Sequence, residues 1–296
     1  DLFTLLNFAH FCAVLSLVSE LSIPVPWGEI RGKAWGPEHG HPVLCLHGWA
    51  DNCGSFNTLI PFLPKECRYV AVDMPGHGLS SHRPPGVFYS FPEYAADVRR
   101  VTESLSWTKF SIMGHSMGES QFSALYPDMV DGIIVLDVFG FVPTDPKEIP
   151  RIMRQGMDEM LKYEKKAEEE KKRVYTYEKA VERLLAANPT LSERSVQMLL
   201  ERGLTRVEGV HIRLMCFMQK NIERITLEQS LEMQSMIQAP VLLILVPGSH
   251  HVHLDNPEVV APFICDFLQT KVLSQKDAAR LFGLTTLSLE WNSACD

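Results

Sequence analysis

The sequence predicts an α/β fold, a mostly parallel sheet with helices on both faces, on three observations. Short apolar runs recur along the chain, helical stretches separate them, and one long helical segment interrupts the alternation before the last run. The runs at 42–48 (PVLCLHG), 68–78 (RYVAVDMPGHG), 110–116 (FSIMGHS), 132–138 (GIIVLDV) and 240–246 (PVLLILV) are too short for helices and lack strict polar alternation. Such runs mark strands buried on both faces. Over 91–105, Tyr94, Val98, Val101 and Leu105 recur at three- and four-residue intervals, the apolar stripe of a helix. Strand and helix in alternation predict a parallel sheet built from crossover units.

Taken in order, the elements begin with residues 2–18, LFTLLNFAHFCAVLSLV, 17 residues and mostly apolar. This stretch is short for a membrane span, contains Asn7 and His10, and lacks a basic flank and a small-residue cleavage site. It reads as an apolar extension of the domain in preference to a membrane anchor. From Leu21, LSIPVPWGEIRGKAWG reads as an opening antiparallel hairpin around a Trp27-Gly28 turn. Residues 144–238 contain no convincing strand, and their charge run LKYEKKAEEEKKRVYTYEKAVERLL reads as the solvated face of helices laced with i,i+4 pairs. This segment is expected to be a helical lid. Met153 and Met157 near its start are placed to line a substrate pocket, although Met at helical spacing ordinarily serves packing. The expected division is an extension (1–20), a core (21–143 and 239–270), the lid (144–238) and a tail (271–296).

With 296 residues, 46% hydrophobic and 22% charged, the composition is that of a globular chain and excludes disordered and collagen-like classes. The net charge of −8 gives no general electrostatic reason to bind nucleic acid or anionic lipid, which leaves a small molecule as the expected ligand. Seven cysteines without CxxC pairing read as a reduced, intracellular set, with a cytoplasmic setting expected. Peroxisomal or vesicle-associated placement is the alternative, although the terminal SACD is no peroxisomal tripeptide. The pairs and triplets of histidine at His39/His41 and His250/His251/His253 lack carboxylate or thiolate partners at ligand spacing, so no metal site is expected.

The strongest chemical signal is Gly114-His115-Ser116-Met117-Gly118, a G-x-S-x-G pattern between an apolar strand and a helical segment. A serine on so tight a turn needs flanking glycines for its strained backbone, and the following helix N-terminus lends positive potential. His47-Gly48-Trp49 closes another strand, where the amides of Trp49 and Met117 are expected to hold an oxyanion and the Trp49 ring to wall the pocket. A third loop, Pro247-Gly248-Ser249-His250-His251-Val252-His253-Leu254, supplies a late histidine, as Ser…acid…His order requires.

These motifs, with the stretches PVLCLHGWADNCGSFNTLIPFL, YVAVDMPGHGLSSH, LYPDMVDGIIVLD, LEMQSMIQAPVLLI and VPGSHHVHLDNPEVV, resemble the α/β-hydrolases and closely the serine hydrolase-like protein group. The resemblance covers most of 18–268. It implies a seven-residue spacing between catalytic histidine and terminal proline, matched by His250 and Pro257, with His251 and His253 as neighbours. The chain departs from the pattern twice. Glu119 replaces a second glycine and Tyr126-Pro127 arrives about a turn early, which shortens the helix behind Ser116. The strand at 240–246 also runs straight into the histidine loop, so a βαβ unit that carries the acid in many such enzymes is missing; one strand fewer is expected, and a displaced His250 unless that strand shifts to compensate. Asp137, at the end of GIIVLDV, is the surviving acid candidate; its other reading is a cap on the following turn.

The expected function is a cofactor-free serine hydrolase acting on an ester-like or other acyl bond of a small apolar substrate. Ser116 would attack, His250 act as base and Asp137 orient it. Asp73, in VDMPGHG, is expected to order its loop while Gly76 and Gly78 permit the turn. The alternative is a binding protein that keeps the hydrolase architecture without turnover.

Overall fold

The computed structural model describes residues 18–84, 86–87, 89–116, 120–138, 143–170, 175–206, 212–214, 224–246 and 249–274. Strands β1 (Ser19–Val25), β2 (Gly28–Trp35), β3 (His41–Leu46) and β4 (Cys67–Val72) open the chain, followed by α1 (Phe91–Ser104), β5 (Phe110–His115), α2 (Ser120–Leu125) and β6 (Val130–Leu136). Helices α3 (Ile149–Glu170), α4 (Tyr177–Ala187) and α5 (Glu193–Gly203) come next, then a small pair β7 (Leu204–Arg206) and β8 (Ile212–Leu214) and helix α6 (Leu227–Ser235). The chain closes with β9 (Val241–Ile244), α7 (Val252–Asp255) and α8 (Pro257–Phe267). Most of the apolar extension at 2–18 and most of the tail at 271–296 lie outside the described residues; Val18 packs against the core. No helix among the described residues is long and apolar enough to cross a membrane.

The main sheet has seven strands in the order β1-β2-β4-β3-β5-β6-β9. β1–β2 and β2–β4 are antiparallel and the remaining pairs parallel. The hairpin pairs Val25 with Gly28, so the turn is Pro26-Trp27 and Gly28 already belongs to β2, one residue earlier than the expected turn. Proline fits there because its φ is preset and the turn asks nothing of its missing N–H.

Side-chain parity explains why the strands read as continuous apolar runs. Val43, Cys45, Tyr69, Ala71, Met113, Ile134, Leu136 and Ile244 pack on one face beneath α8. Leu44, Leu46, Val70, Val72, Ile112, Ile133 and Val135 pack on the other, against Val98 and Val101 of α1. Both faces are buried, so no polar alternation survives. β9 is the exception, because the chain enters the histidine loop directly from it. Leu242 and Ile244 meet the core while Val241 and Leu243 remain exposed at the sheet edge.

The segment between β6 and β9 is largely helical, and α4, α5 and α6 start where hydroxyls cap them. Thr176 accepts from Lys179 N–H, Ser192 from Ser195 N–H, and Thr226 with Gln229 forms a capping box. The β7–β8 pair corrects the expectation that this segment holds no strand; at three residues each, these strands are too short to leave a period. Met153 is half-buried and Met157 exposed, and neither joins the three apolar clusters of the described residues.

α5 is tied to the core by a buried ion pair. Asp73 accepts from Cys53 N–H (2.8 Å), Leu79 N–H (2.9 Å) and the Nε of Arg202 (3.0 Å), whose Nη2 lies 2.9 Å away in the same ion pair and whose Nη1 reaches Glu20 on β1 (2.8 Å). Asp73 thus orders its loop and also anchors a helix. A Cβ on Gly78, at φ +49°, would fall 2.4 Å from the Asp73 carboxyl carbon, so glycine is required there. Asp73→Ala strands a buried guanidinium, and urea unfolding is expected to show a loss of about 3 kcal/mol or more; Arg202→Met on that background is expected to recover part of it. Additive losses in the double variant would contradict a direct coupling.

Candidate active site

Strand order reverses about β3, with β4 on one side and β5 on the other, and in open parallel sheets ligands bind beyond the carboxyl ends of the strands at such a point. Three non-glycine residues with left-handed backbone follow strands at this edge: Ala50 (φ +63°) beyond β3, Ser116 (φ +58°) at the end of β5 and Asp137 (φ +55°) at the end of β6. Such conformations cost on the order of 1–3 kcal/mol each and persist only where the surroundings impose them. At Ser116 the surroundings are visible: its N–H bonds Leu136 C=O at 3.1 Å, and a Cβ on Gly48 would fall 3.1 Å from its Cβ. Gly48 lets the loop after β3 lie directly on the serine turn. Asp137 is held by a bond from its N–H to Ile244 C=O at 3.0 Å.

His250 Nδ1 lies 2.5 Å from Asp137 Oδ2. The histidine side chain is half exposed and the carboxylate more sheltered, so the pair is open to solvent-borne molecules. His250 therefore stands against Asp137 at the end of β6: β9 pairs with β6 in parallel register and hands the chain to the loop at that level. His115 Nε2 bonds the His250 carbonyl at 2.8 Å, which ties the histidine loop to the residue before Ser116.

Gly114 lies within β5, paired between Leu46 and Val135. Met117 and Gly118 lie outside the described residues, so of the two amides expected to hold an oxyanion only that of Trp49 is described. The Trp49 ring is partly exposed and stands edge-on to His77, 6.2 Å between centroids. α2 spans six residues, the short helix expected after Ser116. Ser249, one residue before His250, is 3.4 Å from Thr190 Oγ1 in the turn between α4 and α5.

Behind these residues lies a buried network whose role the motifs did not reveal. Asp51 meets His251 Nε2 through both carboxylate oxygens (3.1 and 3.0 Å) and lies 3.4 Å from His115 Nδ1. Burial pushes the Asp51 carboxyl up, yet His115 and His251 outweigh it and hold the group well below the carboxylate range. His251 is lowered by burial but raised overall by Asp51. A local signal existed in sequence, since each partner adjoins a motif: Asp51 follows HGWA, His115 precedes Ser116 and His251 follows His250.

Two further histidines are held neutral. His47 Nδ1 donates to Gly48 C=O (2.8 Å) while Nε2 accepts from Met74 N–H (2.9 Å), an arrangement only the neutral ring satisfies. Burial lowers His47, and burial with the nearby His47 lowers His77 further. The unfolded chain takes up these protons first, so stability falls as pH drops below about 6.5; His253, lowered by its own burial, adds to the loss, while His251 and Asp97, both raised, oppose it. The melting temperature is expected to be several degrees lower at pH 5.5 than at 7.5, and an equal or higher value at 5.5 would contradict neutral folded forms.

Sheet order, crossovers and loops at the carboxyl edge define the class as α/β hydrolase, and residues 41–170 match the family model described as alpha/beta hydrolase fold. The serine hydrolase-like protein of Danio rerio is 49% identical over 297 residues, covering 88% of this chain and 91% of that one. Serine hydrolase-like protein 2 of Homo sapiens is 36% identical over 303 residues, covering 87% and 96%. A hypothetical protein of Pseudomonas aeruginosa PAO1, solved by crystallography, is 29% identical with a TM-score of 0.74, covering 84% of this chain and 98% of that one. The chain belongs to the α/β-hydrolase superfamily, within its serine hydrolase-like group.

Proposed function

We propose that this hydrolase works by serine catalysis on an ester-like or other acyl bond of a small, largely apolar substrate. The observation that carries the reading is the His250–Asp137 hydrogen bond at the sheet edge where Ser116 takes its left-handed turn. Ser116 Oγ attacks the acyl carbon while His250 Nε2 takes the proton. Asp137, bonded at Nδ1, keeps the imidazole in the tautomer with Nε2 free to accept and stabilises the imidazolium that follows. His250 then protonates the leaving group and activates water for release of the acid. The amides of Trp49 and Met117 are assigned to the oxyanion, at about 3 kcal/mol for each donor. The turn at Ser116 is read as a nucleophile elbow and the helices between β6 and β9 as a lid, supported by the contacts of α5 with the loop after β3 through Asn52.

Acyl-enzyme chemistry explains why an acid on β6 suffices. The carboxylate needs only to reach Nδ1, and the strand beside β5 presents its end between the serine and the histidine loop.

A fluorophosphonate probe tests the assignment. Labelling of wild-type protein is expected to disappear in Ser116→Ala, and hydrolysis of short p-nitrophenyl esters to fall by about 10⁴-fold in Asp137→Asn. Absence of labelling in folded wild-type protein would favour a binding protein on the hydrolase scaffold, the reading to which the six-residue helix after Ser116 lends weight.

A further inference from the structure

Asp51, His115 and His251 lie outside the proposed triad, and each is at most 4% exposed. One ligand atom from each, a carboxylate oxygen and two imidazole nitrogens, lies within 4.8 Å of the others. Asp51 Oδ2 is 3.0 Å from His251 Nε2 and 3.4 Å from His115 Nδ1. Donors about 2.0–2.1 Å from a tetrahedral ion are roughly 3.4 Å apart, a spacing that both carboxylate–imidazole distances approach, while the two imidazole nitrogens lie within 4.8 Å of each other. The carboxylate that meets His251 comes from 200 residues away in the chain.

The tautomer of His115 is a second, independent observation. Its Nε2 faces the His250 carbonyl at 2.8 Å, and a carbonyl only accepts, so Nε2 carries the hydrogen. In the neutral ring the Nδ1 lone pair then points at the Asp51 carboxylate, and that buried Nδ1 has no hydrogen bond. Two acceptors face each other in a dry site. A second proton or a cation between them relieves the conflict, and a ligating imidazole whose other nitrogen donates to a backbone carbonyl is the arrangement that orients metal-bound histidines.

We propose that Asp51, His115 and His251 bind a transition-metal dication of the zinc class, and that occupancy inhibits hydrolysis. The inhibitory half rests on the assignment of Ser116 and His250; the binding half does not. An ion with one carboxylate ligand keeps a net positive charge. The ring of His250 is centred 4.6 Å from that of His115 and 5.5 Å from that of His251, so this charge opposes formation of the His250 imidazolium. His115 and His251 also adjoin Ser116 and His250 in the chain, so the ion fixes both loops.

The test uses the full chain, stripped with chelator and titrated with Zn2+ by calorimetry and with Co2+ by visible absorption. Expected are one equivalent bound, tetrahedral Co2+ bands without thiolate charge transfer, and loss of that equivalent in Asp51→Asn and His251→Gln. Circular dichroism identifies variants that fail to fold, and His39→Gln, at an exposed histidine, is expected to retain binding. Zn2+ is expected to slow fluorophosphonate labelling of Ser116 at least tenfold, reversibly on adding chelator. Ser116→Ala, expected to bind metal while remaining unlabelled, separates the site from the catalytic assignment. No uptake, uptake that survives both ligand variants, or thiolate charge transfer would overturn the site. Binding that leaves labelling unchanged would overturn the inhibition.

Discussion

The buried carboxylate of Asp51 is the constraint on which the geometry of the carboxyl edge depends. An ionised carboxylate removed from water is costly unless hydrogen bonds and opposite charge replace its hydration. Here His251 meets both oxygens, and His115 Nδ1 lies 3.4 Å from one of them, satisfying it once a proton or cation stands between. Each of these histidines is one residue from a side chain assigned to catalysis, so satisfying one charge fixes three loops at once. Ala50 pays with left-handed backbone to turn Asp51 inward, and its N–H bonds His77 Nε2 at 3.3 Å. Gly48 completes the fit, since any Cβ there would strike His115.

A second buried carboxylate does for the helical segment what Asp51 does for the loops. Asp73 joins the turn after β4 to Arg202 of α5, while Asn52 Nδ2 donates to Leu199 C=O on the same helix at 2.8 Å. Thr58 adds a bond to the Leu254 carbonyl at 2.8 Å, and Leu254 packs among Val196, Leu199 and Leu200. α5 and the histidine loop thus share one apolar cluster. Movement of that helix is coupled mechanically to the segment carrying His250, whereas α3, solvated along much of its length, carries no such tie among the described residues.

What could be read from sequence was what is local. Five apolar runs became the parallel strands, and the stripe through Tyr94, Val98 and Val101 became α1, because period and burial are written in neighbouring residues. The serine turn, the histidine loop and Asp137 were legible because each sits at the end of such a run. Asp51 with His251 and Asp73 with Arg202 were not, since their partners lie 200 and 129 residues away; adjoining a motif marks Asp51 as close to the site without showing what it will meet. β7 and β8 escaped for the opposite reason, being too short to carry any pattern.

The abrupt passage from β9 into the histidine loop costs the sheet apolar burial. With no crossover helix and no further strand among the described residues, Val241 and Leu243 stay exposed on an unpaired edge, forgoing stabilisation that full burial would make about 1.5–3 kcal/mol for each side chain. The edge beyond β6 nonetheless keeps its register, with Ile133 opposite Val241 and Leu136 opposite Ile244, so the loop leaves β9 level with the end of β6. Asp137 is the next residue there, and its left-handed backbone is stabilised by the bond to Ile244 C=O. The hydrogen bond that fixes the backbone of Asp137 thus comes from the strand that delivers His250, so the carboxylate at the end of β6 and the directly connected histidine loop are positioned by one structural solution.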